Sequence, residues 1–188
     1  MNVIIDNYDS FTFNLVQYIG ENDSNVVVYK NDEVSVQDLI DINPSKIIIS
    51  PGPGHPEDSG VSIDMVKEFY DKIPILGVCL GHQIIGLVFS SGIANALDIY
   101  HGKASKIYHN SCDLFTGISS PFDATRYHSL VIDRNNLSKD LSIIAETKDA
   151  EIMGIKHKKY PVYGVQFHPE SILTASGMRI IRNFLSIE

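Results

Sequence analysis

Four short apolar runs, separated by amphipathic segments, constrain the fold of this chain more than any other feature. Each run is rich in valine and isoleucine and is short enough to be a buried strand. Strands that are apolar at every position are buried on both faces, which is typical of a parallel sheet covered by helices. The pattern therefore predicts an open α/β fold. The runs are Val3–Ile5, Val26–Val28, Ile47–Ile49 and Ile73–Val78, and the amphipathic segments are Phe11–Glu21, Val36–Ile42 and Val61–Tyr70.

The second half of the chain has turns but few amphipathic segments between its apolar runs. We expect these runs to be antiparallel strands, added to the parallel sheet or forming a small sheet beside it. There is no internal repeat or linker-like tract, so we interpret residues 1–188 as a single domain closed by a helix at Gly177–Leu185. The predicted strands are Ala104–Tyr108, Asp123–His128, Leu141–Glu146, Ile152–His157 and Val162–Phe167.

Charge and cysteine content argue against several classes of function. A formal net charge of −8, with 15 basic residues spread along the chain, argues against nucleic acid as a partner. Two cysteines, Cys79 and Cys112, allow at most one disulfide, and no secretory signal precedes the first strand, so we expect a cytoplasmic protein. The apolar runs are far shorter than the roughly 20 residues that span a bilayer, so no membrane contact is expected. Nor does the sequence contain a motif that indicates a metal or another cofactor.

The sequence G-x-C-x-G, at residues 77–81, joins the fourth strand to an apolar helical segment that continues from Gln83 to Phe89. Two glycines beside a nucleophile permit the sharp strand-to-helix turn that projects its side chain above a sheet. Cys79 is then placed at the carboxyl end of a parallel strand and at a helix N-terminus, whose dipole favours a thiolate. The alternative is a small, buried, hydrophobic cysteine. Cys112 has no reactive neighbours and is interpreted as structural.

A cysteine nucleophile needs a base, and His168 is the most favoured of the seven histidines. It ends the last predicted strand, and Glu170 lies two residues later, on the same side of an extended chain. Pro169 restricts His168 to an extended conformation. A carboxylate beside an imidazole fixes its tautomer and stabilises the imidazolium, so we predict a triad of Cys79, His168 and Glu170. An exposed H-x-E at the end of a strand is the alternative.

A loop of alternating prolines and glycines, Ser50–Gly54, follows the third strand. It is predicted to lie at the same sheet edge as Cys79, because both follow parallel strands. The N–H of Gly52 has no side chain beside it, and we predict that it forms an oxyanion hole with the N–H of Leu80. Taken alone, the same residues are also compatible with an ordinary tight turn.

Four motifs, in order along nearly the whole chain, resemble those of the class I, triad-type glutamine amidotransferases: SPGPGHPEDSG, LGVCLGHQIIG, RYHSL and YGVQFHPES. The resemblance implies that Cys79 attacks the side-chain amide of glutamine and that His168, oriented by Glu170, passes a proton to the departing ammonia. Water then releases glutamate from a thioester. The groups implied to hold the substrate are Gln83 and the backbone of Ser129 and Leu130.

Three further stretches, NYDSFTFNLVQYIGE, HGKAS and HPESILT, resemble the branch of this family that serves chorismate-using synthases. That branch comprises anthranilate synthase component II and the amidotransferase of aminodeoxychorismate synthase, so the partner it implies is a chorismate-binding large subunit. The resemblance does not separate tryptophan from folate biosynthesis. Ser90 and Ser91 stand where the branch tends to have glycines. A cysteine hydrolase of related fold that uses His82, and a regulatory subunit with a vestigial site, remain as alternatives.

Overall fold

Strands and helices alternate through the first half of the chain in the computed structural model, which describes residues 1–188. This alternation was predicted from the spacing of the apolar runs. The strands are β1 (Asn2–Asp6), β2 (Val26–Lys30), β3 (Lys46–Ile49) and β4 (Ile75–Val78), and the helices are α1 (Thr12–Gly20), α2 (Val36–Ile42), α3 (Ser62–Phe69) and α4 (Leu80–Val88).

The second half of the chain consists mainly of strands and ends in a helix. Two of the strands, β5 and β8, pair only with each other in a small second sheet. They were not predicted, because a strand of three residues is too short to show an alternating pattern. The elements are β5 (Ile93–Asn95), β6 (Lys103–His109), β7 (Phe122–Arg126), β8 (Leu130–Ile132), β9 (Leu141–Glu146), β10 (Ile152–His157), β11 (Val162–Val165) and α5 (Gly177–Leu185).

The main sheet has nine strands in the order β2-β1-β3-β4-β11-β10-β9-β6-β7. Its first five strands are parallel, and the remaining neighbours are antiparallel. One expectation was wrong: β11 runs parallel to β4, although it forms an antiparallel hairpin with β10. The hairpin reverses the chain direction, so β11 enters the sheet in the same direction as β4. The carboxyl ends of β4 and β11 therefore meet at one edge.

Helices cover both faces of the parallel strands, which explains why these strands are apolar at successive positions. Ile4, Ile48 and Leu76 belong to the core beneath α1 and α5. Neighbouring residues such as Val3 and Ile47 belong to the second core, beneath α2, α3 and α4. None of the helices is long and apolar enough to cross a membrane.

Ser90 and Ser91, the two serines singled out in the sequence, lie at the end of α4. Ser90 has φ 66°, in the left-handed region that favours glycine. Ser91 is buried, and its hydroxyl accepts a hydrogen bond from the N–H of Ser138 at 3.0 Å. Ser90 thus occupies a backbone conformation that suits a glycine, while Ser91 ties the end of α4 to the segment before β9.

Replacing Gly81 with alanine is expected to destabilise the fold. A Cβ at Gly81 would lie 2.6 Å from the carbonyl oxygen of Ile49 in β3, so α4 would have to move away from the sheet. The expected loss in the free energy of unfolding, measured by chemical denaturation, is about 1–3 kcal/mol. The matched control is Gly20→Ala at the end of α1, where a Cβ meets no atom within 4 Å. The control is expected to keep or raise the stability, by up to about 1 kcal/mol; equal losses in both variants would contradict the steric argument.

Candidate active site

Cys79 is the single residue between β4 and α4, and its backbone is strained, with φ 52° and ψ −98°. The turn closes only because its neighbours lack side chains: a Cβ on Gly77 would lie 2.3 Å from the carbonyl oxygen of Gly81. The N–H of Cys79 donates to the carbonyl of Val165 in β11 at 2.8 Å, which anchors the strained residue to the sheet. The thiol therefore stands at the carboxyl ends of the parallel strands.

His168 and Glu170 follow β11 and form a buried pair. Nδ1 of His168 lies 2.6 Å from Oε1 of Glu170, and both side chains are almost fully buried. Two hydrogen bonds fix the backbone of His168. Its N–H donates to the carbonyl of Thr125 at 2.9 Å, and its carbonyl accepts from the hydroxyl of Thr174 at 2.8 Å. Nε2 of His168 is buried and has no hydrogen-bond partner within the chain, so it is free for proton transfer.

Burial and two neighbouring groups decide the protonation state of His168. Burial on its own lowers the pKa of the imidazole, but the neighbouring Cys79 sulfur and the Glu170 carboxylate outweigh burial and raise the pKa well above the ordinary value of 6.5. The imidazolium is therefore the favoured form near neutral pH. A positively charged imidazole beside a cysteine sulfur is the arrangement found in cysteine nucleophiles.

Gln166 is a residue of the site that the sequence analysis missed. Its side chain is fully buried, and Nε2 lies 3.6 Å from the sulfur of Cys79. Oε1 of Gln166 accepts a hydrogen bond from Nε2 of Gln83 at 3.1 Å. Nε2 of Gln83 also donates to the carbonyl of Leu130 at 3.0 Å. A glutamine in an otherwise apolar strand was the available signal, since a buried amide needs partners.

The loop after β3 is held against the start of α4. The N–H of Asn7 donates to the hydroxyl of Ser50 at 2.8 Å, and its side-chain amide donates to the Ser50 carbonyl at 3.0 Å. Gly52 lies so close to Asn7 and Leu80 that a Cβ there would be 2.5 Å from Asn7 Cβ and 2.8 Å from Leu80 Cδ2. Neither the N–H of Gly52 nor that of Leu80 makes a hydrogen bond within the chain. Asn7 thus holds the loop with the free N–H of Gly52 against the start of α4, where the N–H of Leu80 is also free.

A cavity of about 260 Å³ opens in front of Cys79. Gly52, Leu80 and Gln83 border it on one side, and two further segments, residues 99–101 and residues 127–130, form its walls. Ser129 and Leu130 belong to the second of these walls. The structure therefore brings Cys79, the two N–H residues Gly52 and Leu80, and the implied substrate-binding residues to one cavity. His168 and Glu170 do not line it; the His168 ring lies 5.1 Å from the ring of Tyr127, which does.

His82, the alternative base, lies outside this cavity. Its side chain is fully buried in α4, and neither ring nitrogen has a hydrogen-bond partner. Burial lowers the pKa of His82 to about 3, so its imidazole is neutral and weakly basic at physiological pH. The geometry gives His82 no path to the Cys79 sulfur through the cavity, whose lining excludes it.

A sequence model of the family described as glutamine amidotransferase class-I matches residues 3–187. The chain belongs to this family. It is thus a glutamine amidotransferase. Three parts of the structure bear on its chemistry: the turn at Cys79, the His168–Glu170 pair and the loop Ser50–Gly54.

Three relatives illustrate the similarity. The bifunctional protein TrpGD of Thermotoga maritima is 54% identical over 188 residues, which cover 99% of this amidotransferase and 32% of that protein. Anthranilate synthase component 2 of Pyropia yezoensis is 53% identical over 186 residues, covering 98% of each chain. The aminodeoxychorismate/anthranilate synthase component 2 of Bacillus subtilis is 46% identical over 185 residues, covering 98% of this chain and 95% of that protein.

Among solved structures, a protein of Thermoplasma acidophilum described as a GMP synthase subunit is similar with a TM-score of 0.87 and 25% sequence identity. The match covers 98% of this amidotransferase and 91% of that chain. The fold class predicted from the sequence, a parallel sheet with flanking helices and added antiparallel strands, is confirmed.

Glu170→Gln is expected to lower the pKa of His168, because it removes one of the two groups that raise it. An NMR titration of the His168 ring in wild type should show deprotonation only well above pH 6.5, and in the variant at lower pH. The control is Glu33→Gln, which removes the same charge from a residue that does not perturb His168. An unshifted titration in Glu170→Gln would contradict this account of the pair.

Proposed function

We propose that this amidotransferase is the glutaminase component of a chorismate-using synthase, and that anthranilate synthase is the assembly it serves. The observation that carries the chemistry is Cys79 in a strained turn, at the mouth of a small cavity and beside the buried His168–Glu170 pair. The choice of synthase is supported by the names of relatives that match over nearly their whole length, anthranilate synthase component 2 among them.

In the first half of the proposed reaction, the Cys79 thiolate attacks the side-chain amide carbon of glutamine. The N–H groups of Gly52 and Leu80 donate hydrogen bonds to the oxyanion that develops. The His168 imidazolium gives its proton from Nε2 to the departing nitrogen, the C–N bond breaks, and ammonia leaves behind a glutamyl thioester. Glu170 holds the ring orientation and stabilises its positive charge.

In the second half, water attacks the thioester carbonyl, and neutral His168 takes the proton from that water. The C–S bond breaks, the product leaves as the carboxylic acid and loses its proton to solvent to become glutamate, and the thiolate–imidazolium pair is restored. We assign the substrate contacts to Gln83, Ser129 and Leu130, which border the cavity beside the sulfur. Oε1 of Gln83 accepts no hydrogen bond within the chain, so it is available to a donor on glutamine.

The surface around the cavity supports a partner protein at this edge. Large apolar side chains are exposed near the catalytic edge: Ile99 is 80% exposed, Ile172 is 90% exposed and Leu173 is 59% exposed. Ile99 lines the cavity itself, and Ile172 and Leu173 follow Glu170 closely in the chain. Large apolar side chains with this much exposure are typical of surfaces that contact another protein. A chorismate-binding subunit seated there would receive ammonia before water protonates it.

A second candidate assembly is aminodeoxychorismate synthase. The relative from Bacillus subtilis carries both names, so one amidotransferase serving both synthases is consistent with that comparison.

We further propose that residues 1–188 form one amidotransferase domain and that the protein acts in the cytoplasm. Both cysteines are unpaired, as expected in a reducing compartment.

Cys79→Ser is expected to abolish glutamine-dependent product formation by the complex while leaving product formation from ammonium salts unchanged. The nucleophile supplies ammonia but takes no part in its later use. Anthranilate, or aminodeoxychorismate, is measured with each nitrogen source. Cys112→Ser is the matched control, since Cys112 does not line the cavity, and it should keep both activities. Retention of the glutamine-dependent reaction in Cys79→Ser would remove Cys79 from the proposed role.

The purified chain is expected to hydrolyse glutamine slowly, and severalfold faster once the chorismate-binding subunit is added. The reason is that loops at the catalytic edge reorder on binding. Ile172→Asp should weaken this activation, because it places a charge in the proposed contact. Ile40→Asp, at a residue 40% exposed in α2, is the matched control and should activate normally. Equal glutaminase rates with and without the partner would contradict the coupling.

A further inference from the structure

Arg126, the last residue of β7, is a buried arginine directly before one wall of the cavity. Only 1% of its surface is exposed, and its guanidinium forms an ion pair with Glu151, which is also buried. The guanidinium carbon lies 3.3 Å from the centre of the Tyr100 ring, and a further nitrogen lies 3.4 Å from the hydroxyl of Ser105. A buried ion pair is costly to form unless its hydrogen bonds are satisfied. The contacts of the Arg126–Glu151 pair beside the cavity therefore indicate a role for it there.

The guanidinium determines the tautomer of His128. Nε of Arg126 lies 3.0 Å from Nε2 of His128, and because arginine is only a donor, this ring nitrogen must accept. The proton of the neutral ring is then on Nδ1, which donates to the carbonyl of Leu130 at 3.0 Å. Burial and the charge of Arg126 lower the pKa of His128 to about 3, so the ring stays neutral. His128 therefore connects Arg126 to the carbonyl of Leu130, with one hydrogen bond on each ring nitrogen.

The carbonyl of Leu130 accepts a second hydrogen bond, from Gln83 at 3.0 Å. The wall formed by residues 127–130 is thus fixed from two sides, by α4 and by the Arg126–His128 pair. The same wall contains Ser129, whose carbonyl accepts from the N–H of Ala96 at 2.8 Å.

The other wall, residues 99–101, and the segment just before it also contact this ion pair. Oε1 of Glu151 accepts a hydrogen bond from the N–H of Leu97 at 2.9 Å. The Tyr100 ring stacks on His128 with 5.5 Å between ring centres, and the N–H of Tyr100 donates to the His128 carbonyl at 3.1 Å. One buried pair therefore contacts both walls without itself bordering the cavity.

We propose that Arg126 and Glu151 are positioning residues that lock the two walls of the cavity together, with His128 as the relay to Leu130. This inference rests on the proposed function, because the cavity is taken to bind glutamine. The Arg126–Glu151 pair holds the binding groups in place. It does not hold the thiolate–imidazolium pair of Cys79 and His168. Its loss is therefore expected to weaken glutamine binding more than the chemical step.

Arg126→Lys tests the inference. Lysine keeps the positive charge near Glu151 but lacks the planar fork that reaches His128 and stacks on Tyr100 at the same time. The KM for glutamine is expected to rise about tenfold or more, with kcat changed by less than about threefold, as for lost binding contacts. The rate of Cys79 alkylation by iodoacetamide should stay at the wild-type value. Arg134→Lys is the matched control, because Arg134 forms an exposed ion pair with Glu146.

Two substitutions of the relay make the test independent of Arg126. His128→Asn keeps a donor for the Leu130 carbonyl, whereas His128→Phe keeps a ring but has no donor. The asparagine variant is expected to have a KM closer to wild type than the phenylalanine variant. If the two variants have the same KM, the hydrogen bond to Leu130 is not the route and the inference is wrong.

Hydrogen exchange separates this inference from the proposed function. The N–H groups of Leu97 and Tyr100 should exchange faster in Arg126→Lys than in wild type or Arg134→Lys, whether or not the chain hydrolyses glutamine. Unchanged exchange overturns the inference, as does an unchanged KM in an active enzyme. A wild-type complex without glutaminase activity overturns the proposed function instead, and the exchange rates then decide the inference alone.

Discussion

The site depends on the close approach of α4 to the sheet. Gly81 lets the first turn of α4 contact the backbone of β3, where a Cβ would lie 2.6 Å from the Ile49 carbonyl oxygen. Cys79, directly before this helix, has φ 52°, a strained conformation that helps to set the direction of its side chain. Parallel packing of β11 beside β4 then puts the residues after β11 next to the thiol.

Three buried histidines show how the surroundings of a side chain determine its role. His168 lies beside the Cys79 sulfur and the Glu170 carboxylate, which raise its pKa despite burial. His128 faces the Arg126 guanidinium, and His82 has no polar partner, so burial lowers the pKa of each to about 3. One histidine thus carries a movable proton, while the other two remain neutral parts of the framework.

The site combines a rigid interior with an exposed apolar rim. Inside the chain, the buried Arg126–Glu151 pair contacts Tyr100 and His128 of the cavity walls, and Gln83, which lines the cavity, is hydrogen-bonded to the buried Gln166. At the surface, Ile99, which lines the cavity, and Ile172, two residues after Glu170, are largely exposed. This division suits an amidotransferase that keeps its own binding groups in place and presents its edge to another protein.

Local sequence determined much of this protein. The apolar runs predicted the α/β class, because spacing shows which residues are buried, and G-x-C-x-G predicted the turn at Cys79, because steric limits act between near neighbours. Only the tertiary structure decided that β11 lies parallel to β4, that β5 pairs with β8, and that Gln166 and Arg126 reach the site. These contacts join residues that are far apart in the chain. They depend on the order in which strands become neighbours when the whole sheet packs, and local periodicity does not encode that order.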